Sequence, residues 1–266
     1  MSIVRTDKWL LNSHDKPVEI CGRIKEQFDG ATAHEIYDHL KRFGMYRLPF
    51  NNGHDRIKKL QKNNSWQIVN DEQRILQKLW DGPNVPIYIF PSDSSNKKMK
   101  REQNGKSGLA FEDKLFLFIS EDTKEKELRA LFTHEYNHVC RLSNYHKHER
   151  NYVLLDTIIL EGLAENAVRD RFGEDLLATW TSYHSIEKLQ KLWSNLIFPH
   201  RNTPKSSFKH QELLYGSQLH PNMTGYSVGY YLVNKFMQEN NITFKELIIM
   251  ETEEIAQVKD SSKRKK

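Results

Sequence analysis

The segment KEKELRALFTHEYNHVCRL, residues 124–142, constrains the fold more than any other part of this chain. Its Ala, Leu, Glu and Lys content favours a helix. Asp122 or Thr123 can accept hydrogen bonds from the free N–H groups of a first turn, and Glu125 and Glu127 complement the helix dipole there. At helical spacing Leu131, Glu135, His138 and Leu142 share one stripe, and His134 lies one turn before His138. The face that should be buried therefore carries two imidazoles and a carboxylate between its leucines. Those groups must be satisfied by hydrogen-bonding neighbours or by a compensating charge, because buried polar groups otherwise cost free energy.

A second helix, NYVLLDTIILEGLAENAVRDRF, poses the complementary problem. Leu154, Ile158, Glu161, Glu165 and Val168 form its stripe, so two acids also point inward. Glu161 has two ways to be satisfied: a cation facing it, or an ion pair with Arg169 or Arg141.

The rest of the chain supplies the frame. Residues 17–80 read as helices: VEICGRIKEQF, HEIYDHLKRFG, and NDEQRILQKLW with Ile75, Leu76 and Leu79 at helical spacing. Asp81, Gly82, Pro83 and Pro86 then punctuate the chain before the β-rich run VPIYIF. A polar, lysine-rich loop occupies 92–107, after which GLAF and KLFLFIS read as strands with a tight turn around Glu112 and Asp113. Strands followed by a run of helices indicate an α+β fold with a small mixed or antiparallel sheet. The expected organisation is a helical N-terminal region over 1–82, a main domain over 83–258 and a basic tail over 259–266.

Composition narrows the functional classes. With 266 residues, 38% hydrophobic and 28% charged, the chain can build a core. It has no apolar run of about 18 residues, so no membrane span is expected. The N-terminus shows no signal-peptide pattern, and a cytoplasmic location is expected. Cys21 and Cys140 are too few for a disulfide framework and read as reduced core thiols. Of the net charge of +5, the tail KDSSKRKK holds five Lys/Arg and one Asp, which leaves a body of +1 and argues against a nucleic-acid partner.

HEYNH is an HExxH sequence. Two histidines four apart on a helix can direct ring nitrogens to one Zn²⁺, while the intervening glutamate reaches a water rather than the metal. A catalytic site needs a third protein ligand. HExxHxxGxxH is ruled out, because Arg141 and Asn144 stand where Gly and His would be, and His146 and His148 fall in the exit loop. Glu161, on the second helix, is the better third ligand for one zinc ion per chain. Glu165, one turn on, can accept a hydrogen bond from the outer ring nitrogen of His134 or His138. After Pro221 comes a tyrosine-rich helix, TGYSVGYYLVNKFMQ. There Tyr226 is the first choice to stabilise an oxyanion, with Tyr230, Tyr231 and His220 as alternatives.

These motifs carry a resemblance to the gluzincin branch of zinc metallopeptidases. LEGLAE is similar to the glutamate-ligand helix of gluzincin aminopeptidases, often NEGFA, and YSVGYYLV resembles the YxxG stretch bearing their catalytic tyrosine. The best overall resemblance, over residues 85–240, is to the YjaZ-like family of predicted bacterial zinc-dependent proteases. It implies a zincin-like metallopeptidase fold and hydrolysis of peptide or protein substrates. His134, His138 and Glu161 would bind zinc, Glu135 would act as general base and Tyr226 as oxyanion donor. The alternative is a non-catalytic, zinc-stabilised module that binds a protein or nucleic-acid partner.

Overall fold

A computed structural model describes residues 3–97 and 105–258 of the chain. Most of the lysine-rich loop's centre (98–104) and the basic tail (259–266) lie outside the described residues. The helices are α1 (Thr6–Ser13), α2 (Pro17–Gly22), α3 (Ala33–Phe43), α4 (Gly53–Lys62) and α5 (Ser65–Trp80). Strands β1 (Ile87–Pro91), β2 (Ser107–Ala110) and β3 (Leu115–Ile119) follow, and then α6 (Glu125–Asn144) and α7 (Leu154–Phe172). The chain continues with α8 (Ile186–Leu192), α9 (Phe208–Tyr215), α10 (Thr224–Glu239), α11 (Phe244–Ile249) and α12 (Thr252–Ile255). The fold class is α+β, as expected. None of the described helices is long and apolar enough to cross a membrane.

The chain packs as two compact units, one comprising residues up to Lys78 together with 83–136, the other 79–82 together with residues from Asn137 onward. In the first, the sheet order is β1-β3-β2, with β1 parallel and β2 antiparallel to β3. β1 and β3 are buried along their whole length, as strands covered on both faces are. Tyr88, Phe90, Phe116 and Phe118, alternate residues of β1 and β3, share one core with Leu10, Ile20, Ile36, Leu40 and Ile57 of α1–α4. The backbone is stitched as well: Val4 N–H donates to Ile87 O at 3.0 Å, and Tyr46 N–H to Pro91 O at 3.0 Å. Packing thus joins the front helices to the sheet within this unit. Helix α1 was not legible, because eight residues hold barely two turns of pattern.

Two local expectations also change. On α5, Leu76 is buried but Ile75 and Leu79 are exposed, because the inward face runs through Trp66, Val69, Glu72 and Gln73. Helix α6 starts at Glu125 rather than at Asp122 or Thr123. The Thr123 hydroxyl instead accepts from Ser120 N–H at 3.1 Å, and Glu127 accepts from Lys124 N–H at 3.1 Å, closing the first turn. Both cysteines are free and buried, and burial pushes the Cys21 thiol up to about 12.

The second unit is built around α7. Burial extends beyond the stripe of Leu154, Ile158, Glu165 and Val168 to Leu155, Thr157, Ile159, Asn166 and Ala167, so the helix is covered nearly all round. Its main partner is α10, and the two approach closely where Gly162 meets Gly229. Asn166 Nδ2 locks this crossing by donating to Gly162 O (2.8 Å) and Tyr230 O (3.1 Å). At the N-terminus of α7, Asp156 accepts from Val153 N–H at 2.8 Å and pairs with Lys147.

Candidate metal centre

Helix α6 runs unbroken through 134–138, so His134 and His138 keep their one-turn spacing. His138 and Glu135 are buried and His134 is half-buried. Glu161 arrives from α7, with its Oε2 3.6 Å from His138 Nε2. One ligand atom from each of His134, His138 and Glu161 lies within 4.8 Å of the others, the one such cluster among the described residues. Ligand atoms around a tetrahedral zinc ion sit about 3.3 Å apart, from bond lengths of about 2.0–2.1 Å. The three side chains therefore fit a divalent ion after small rotamer adjustments, and two imidazoles with one carboxylate are a donor set suited to zinc.

The rival ion pairs for Glu161 have other geometry. Arg141 is buried and donates to the carbonyls of Ile248 (2.7 Å) and Met250 (2.6 Å) and to Thr252 Oγ1 (3.1 Å), with Tyr145 under its guanidinium. It closes the C-terminal end of α11, where unpaired carbonyls need donors. The Arg169 guanidinium lies over the Tyr230 ring, 5.8 Å from its centroid. His146 and His148 are exposed, as expected of an exit loop.

Glu135 faces β2. A Cβ on Gly108 would come within 2.6 Å of Glu135 Oε1 and nearer still to its Cγ and Cδ, so only a glycine lets the strand backbone pass the carboxylate this closely. Phe111 N–H donates to Lys114 O at 2.9 Å, which makes the odd-numbered residues of β2 the ones bonded to β3. The N–H and C=O groups of Gly108 and Ala110 consequently point to the outer edge of the sheet. Glu112 sits exposed in the turn.

Tyr226, in the first turn of α10, places its hydroxyl beside Glu161 and 3.5 Å from that of Tyr215. Burial, then the negative charge of Glu161 and the neighbouring Tyr215, hold its phenol well above the ordinary tyrosine range. Its ring is packed edge-on by Trp180 at 5.3 Å and lies 5.5 Å from Tyr215. Tyr230 turns instead toward Arg169 and Trp180, Tyr231 is half-buried further along, and His220 lies in the loop before the helix.

Glu165 accepts from Ala178 N–H at 2.5 Å, and Ser227 Oγ donates to Trp180 O at 2.9 Å. Together they anchor the segment that carries Trp180. The sequence reading missed Trp180 and Tyr215 because neither belongs to a periodic pattern with Tyr226. Gly108 and Gly229 were visible only as glycines inside regular elements, which is itself a signal of close backbone approach.

From residue 65 to 257 the chain matches the family described as "Predicted Zn-dependent protease (DUF2268)". It is 39% identical over 240 residues to the uncharacterized protein YjaZ of Bacillus subtilis (strain 168), covering 89% of this chain and 91% of that one. It is also 27% identical over 127 residues to the uncharacterized protein YjfC of the same organism, covering 44% of this chain and 42% of that protein. No solved structure matches.

Proposed function

This chain belongs to the family of predicted Zn-dependent proteases, and on that premise we propose that it hydrolyses peptide bonds with His134, His138 and Glu161 holding one Zn²⁺. Zinc in such a donor set supplies Lewis acidity, acidifying water and polarising a carbonyl. Glu135 takes the proton of the attacking water and later passes one to the leaving amine. Tyr226 donates its hydroxyl hydrogen to the developing oxyanion. The outward N–H and C=O groups of Gly108 and Ala110 pair with an extended substrate backbone, which gives affinity with little demand on sequence. Glu165, one turn beyond Glu161 on α7, supports the site by accepting from Ala178 N–H, which anchors the segment that carries Trp180.

The observation that carries this reading is the convergence of two imidazoles from one helix and a carboxylate from another within 4.8 Å, with Glu135 between the histidines. The test separates ligand from base. Glu135→Gln is expected to keep about one zinc per chain and lose hydrolysis of a peptide library, whereas Glu161→Ala loses the metal. Full zinc affinity in Glu161→Ala rejects the third ligand. Zinc-loaded wild type that cleaves nothing in the library supports the binding-module reading instead.

A further inference from the structure

The loop between α9 and α10 is braced at every turn. Met223 N–H donates to Tyr215 O at 2.8 Å, Ser217 and His220 exchange backbone bonds of 3.1 and 3.3 Å, and Thr224 Oγ1 donates to Pro221 O at 2.6 Å. Gly216 takes φ +90°, and a Cβ there would strike the Asn222 Cα at 2.8 Å. His184 Nε2 bonds Asn222 O at 3.1 Å, tying the loop to the segment that follows Trp180. A loop fixed in this way holds Leu219 out in solvent at 88% exposure and Tyr215 at 46%. The stretch 215–223 carries no Asp, Glu, Lys or Arg. Isolated exposed apolar residues are unremarkable in proteins. These two sit on a rigid, charge-free support, and one of them lies ring to ring with Tyr226 beside Glu161.

We propose that Tyr215 and Leu219 are specificity-determining residues, forming an apolar shelf that receives a large apolar side chain of the substrate next to the scissile bond. The inference rests on the peptidase reading above and names the substrate class for that site. A charged side chain laid on the shelf would lose hydration and find no counter-charge within 215–223, whereas an aromatic or aliphatic one gains burial. The hydroxyl of Tyr215 is not required for this role; its ring is.

The test uses two otherwise identical Gly/Ala/Gln peptides carrying either one Phe or Ala at the centre. Wild-type zinc-loaded protein is expected to cleave beside the Phe, with kcat/KM about 10- to 100-fold above the alanine peptide. In Leu219→Ser the ratio falls toward one through loss on the Phe peptide, while the alanine peptide changes less than about threefold; in Tyr215→Ser, which also removes the hydroxyl beside that of Tyr226, both peptides lose turnover but the ratio again falls toward one. Tyr215→Phe keeps the preference. A wild-type ratio near one, a ratio unchanged in both serine variants, or equal losses on both peptides overturns the shelf. So does an unchanged ratio accompanied by altered sedimentation, which makes the patch a self-assembly surface. Binding of the same peptides to zinc-loaded Glu135→Gln, read by fluorescence anisotropy, separates the two claims. Preference for Phe there without any turnover in wild type sinks the peptidase reading and keeps the shelf; no preference sinks the shelf.

Discussion

Replacing Gly229 by alanine tests the helix crossing that brings Tyr226 to Glu161. The added Cβ would stand 2.6 Å from the carbonyl carbon of Ile158 and 3.1 Å from its Cα, with the carbonyl oxygen nearer still, whereas ordinary contact starts at 3.4 Å. The obstacle is the backbone of α7, buried nearly all round, so no side chain can swing aside. The helices must part by roughly 1 Å, and overpacking of this kind costs about 1–3 kcal/mol. The bridge from Asn166 Nδ2 to Gly162 O and Tyr230 O is strained by the same movement, which favours the upper end of that range. Tyr226 lies three residues earlier on the moving helix, so its hydroxyl shifts from Glu161 by a similar amount. A misplacement of about 1 Å in a catalytic group can cost ~10²-fold in rate. Zinc content should stay near wild type, because α10 supplies none of the three proposed ligands. Urea denaturation, metal analysis and turnover of a cleaved peptide measure the three effects separately. Gly22→Ala is the control, since its Cβ would meet only the Ala33 Cβ at 3.9 Å. Stability within about 0.5 kcal/mol of wild type, together with undiminished turnover, would falsify the account of the crossing.

Other perturbations reach different parts of the molecule. Gly108→Ala should push the Glu135 carboxylate off the β2 edge and lower turnover about 10²-fold while zinc is retained; wild-type rates would show that the strand yields instead. Arg141→Met strands the carbonyls of Ile248 and Met250 and should cost roughly 3 kcal/mol in urea unfolding, and a loss below about 0.5 kcal/mol would remove its structural role. His210 is buried against Thr157 Oγ1 at 3.0 Å, and burial, then the nearby Lys205, lowers its pKa below the unfolded value of 6.5. The unfolded chain therefore takes up a proton that the fold refuses, so its contribution to stability declines as pH falls below about 6.5 and is constant above. His210→Gln should lose that part of the pH slope, and identical slopes in the two proteins would contradict the assignment. Zinc at about 100 times its Kd should stabilise wild type by about 2.7 kcal/mol in thermal unfolding and Glu161→Ala by far less; equal gains would place the ion elsewhere.

What the sequence determined by itself was whatever repeats within a few residues. The helical stripe through His134, Glu135 and His138, the acids Glu161 and Glu165 on the following helix, and the hairpin before them all follow from local periodicity. A helix or a hairpin places its own side chains without reference to the rest of the chain. Tertiary structure decided everything that depends on which distant segments meet. Glu161 could have paired with Arg141 or Arg169 as far as spacing goes, but the Arg141 guanidinium closes the end of α11 and Arg169 lies over Tyr230. The front helices could have stood apart, but their apolar faces and the aromatic face of β1 and β3 bury one another. Trp180 and Tyr215 reach Tyr226 across 46 and 11 residues of chain, and no local pattern encodes contacts of that kind. They arise because Glu165 and Ser227 hold the segment of Trp180, and the Met223–Tyr215 backbone bond holds Tyr215, against α10.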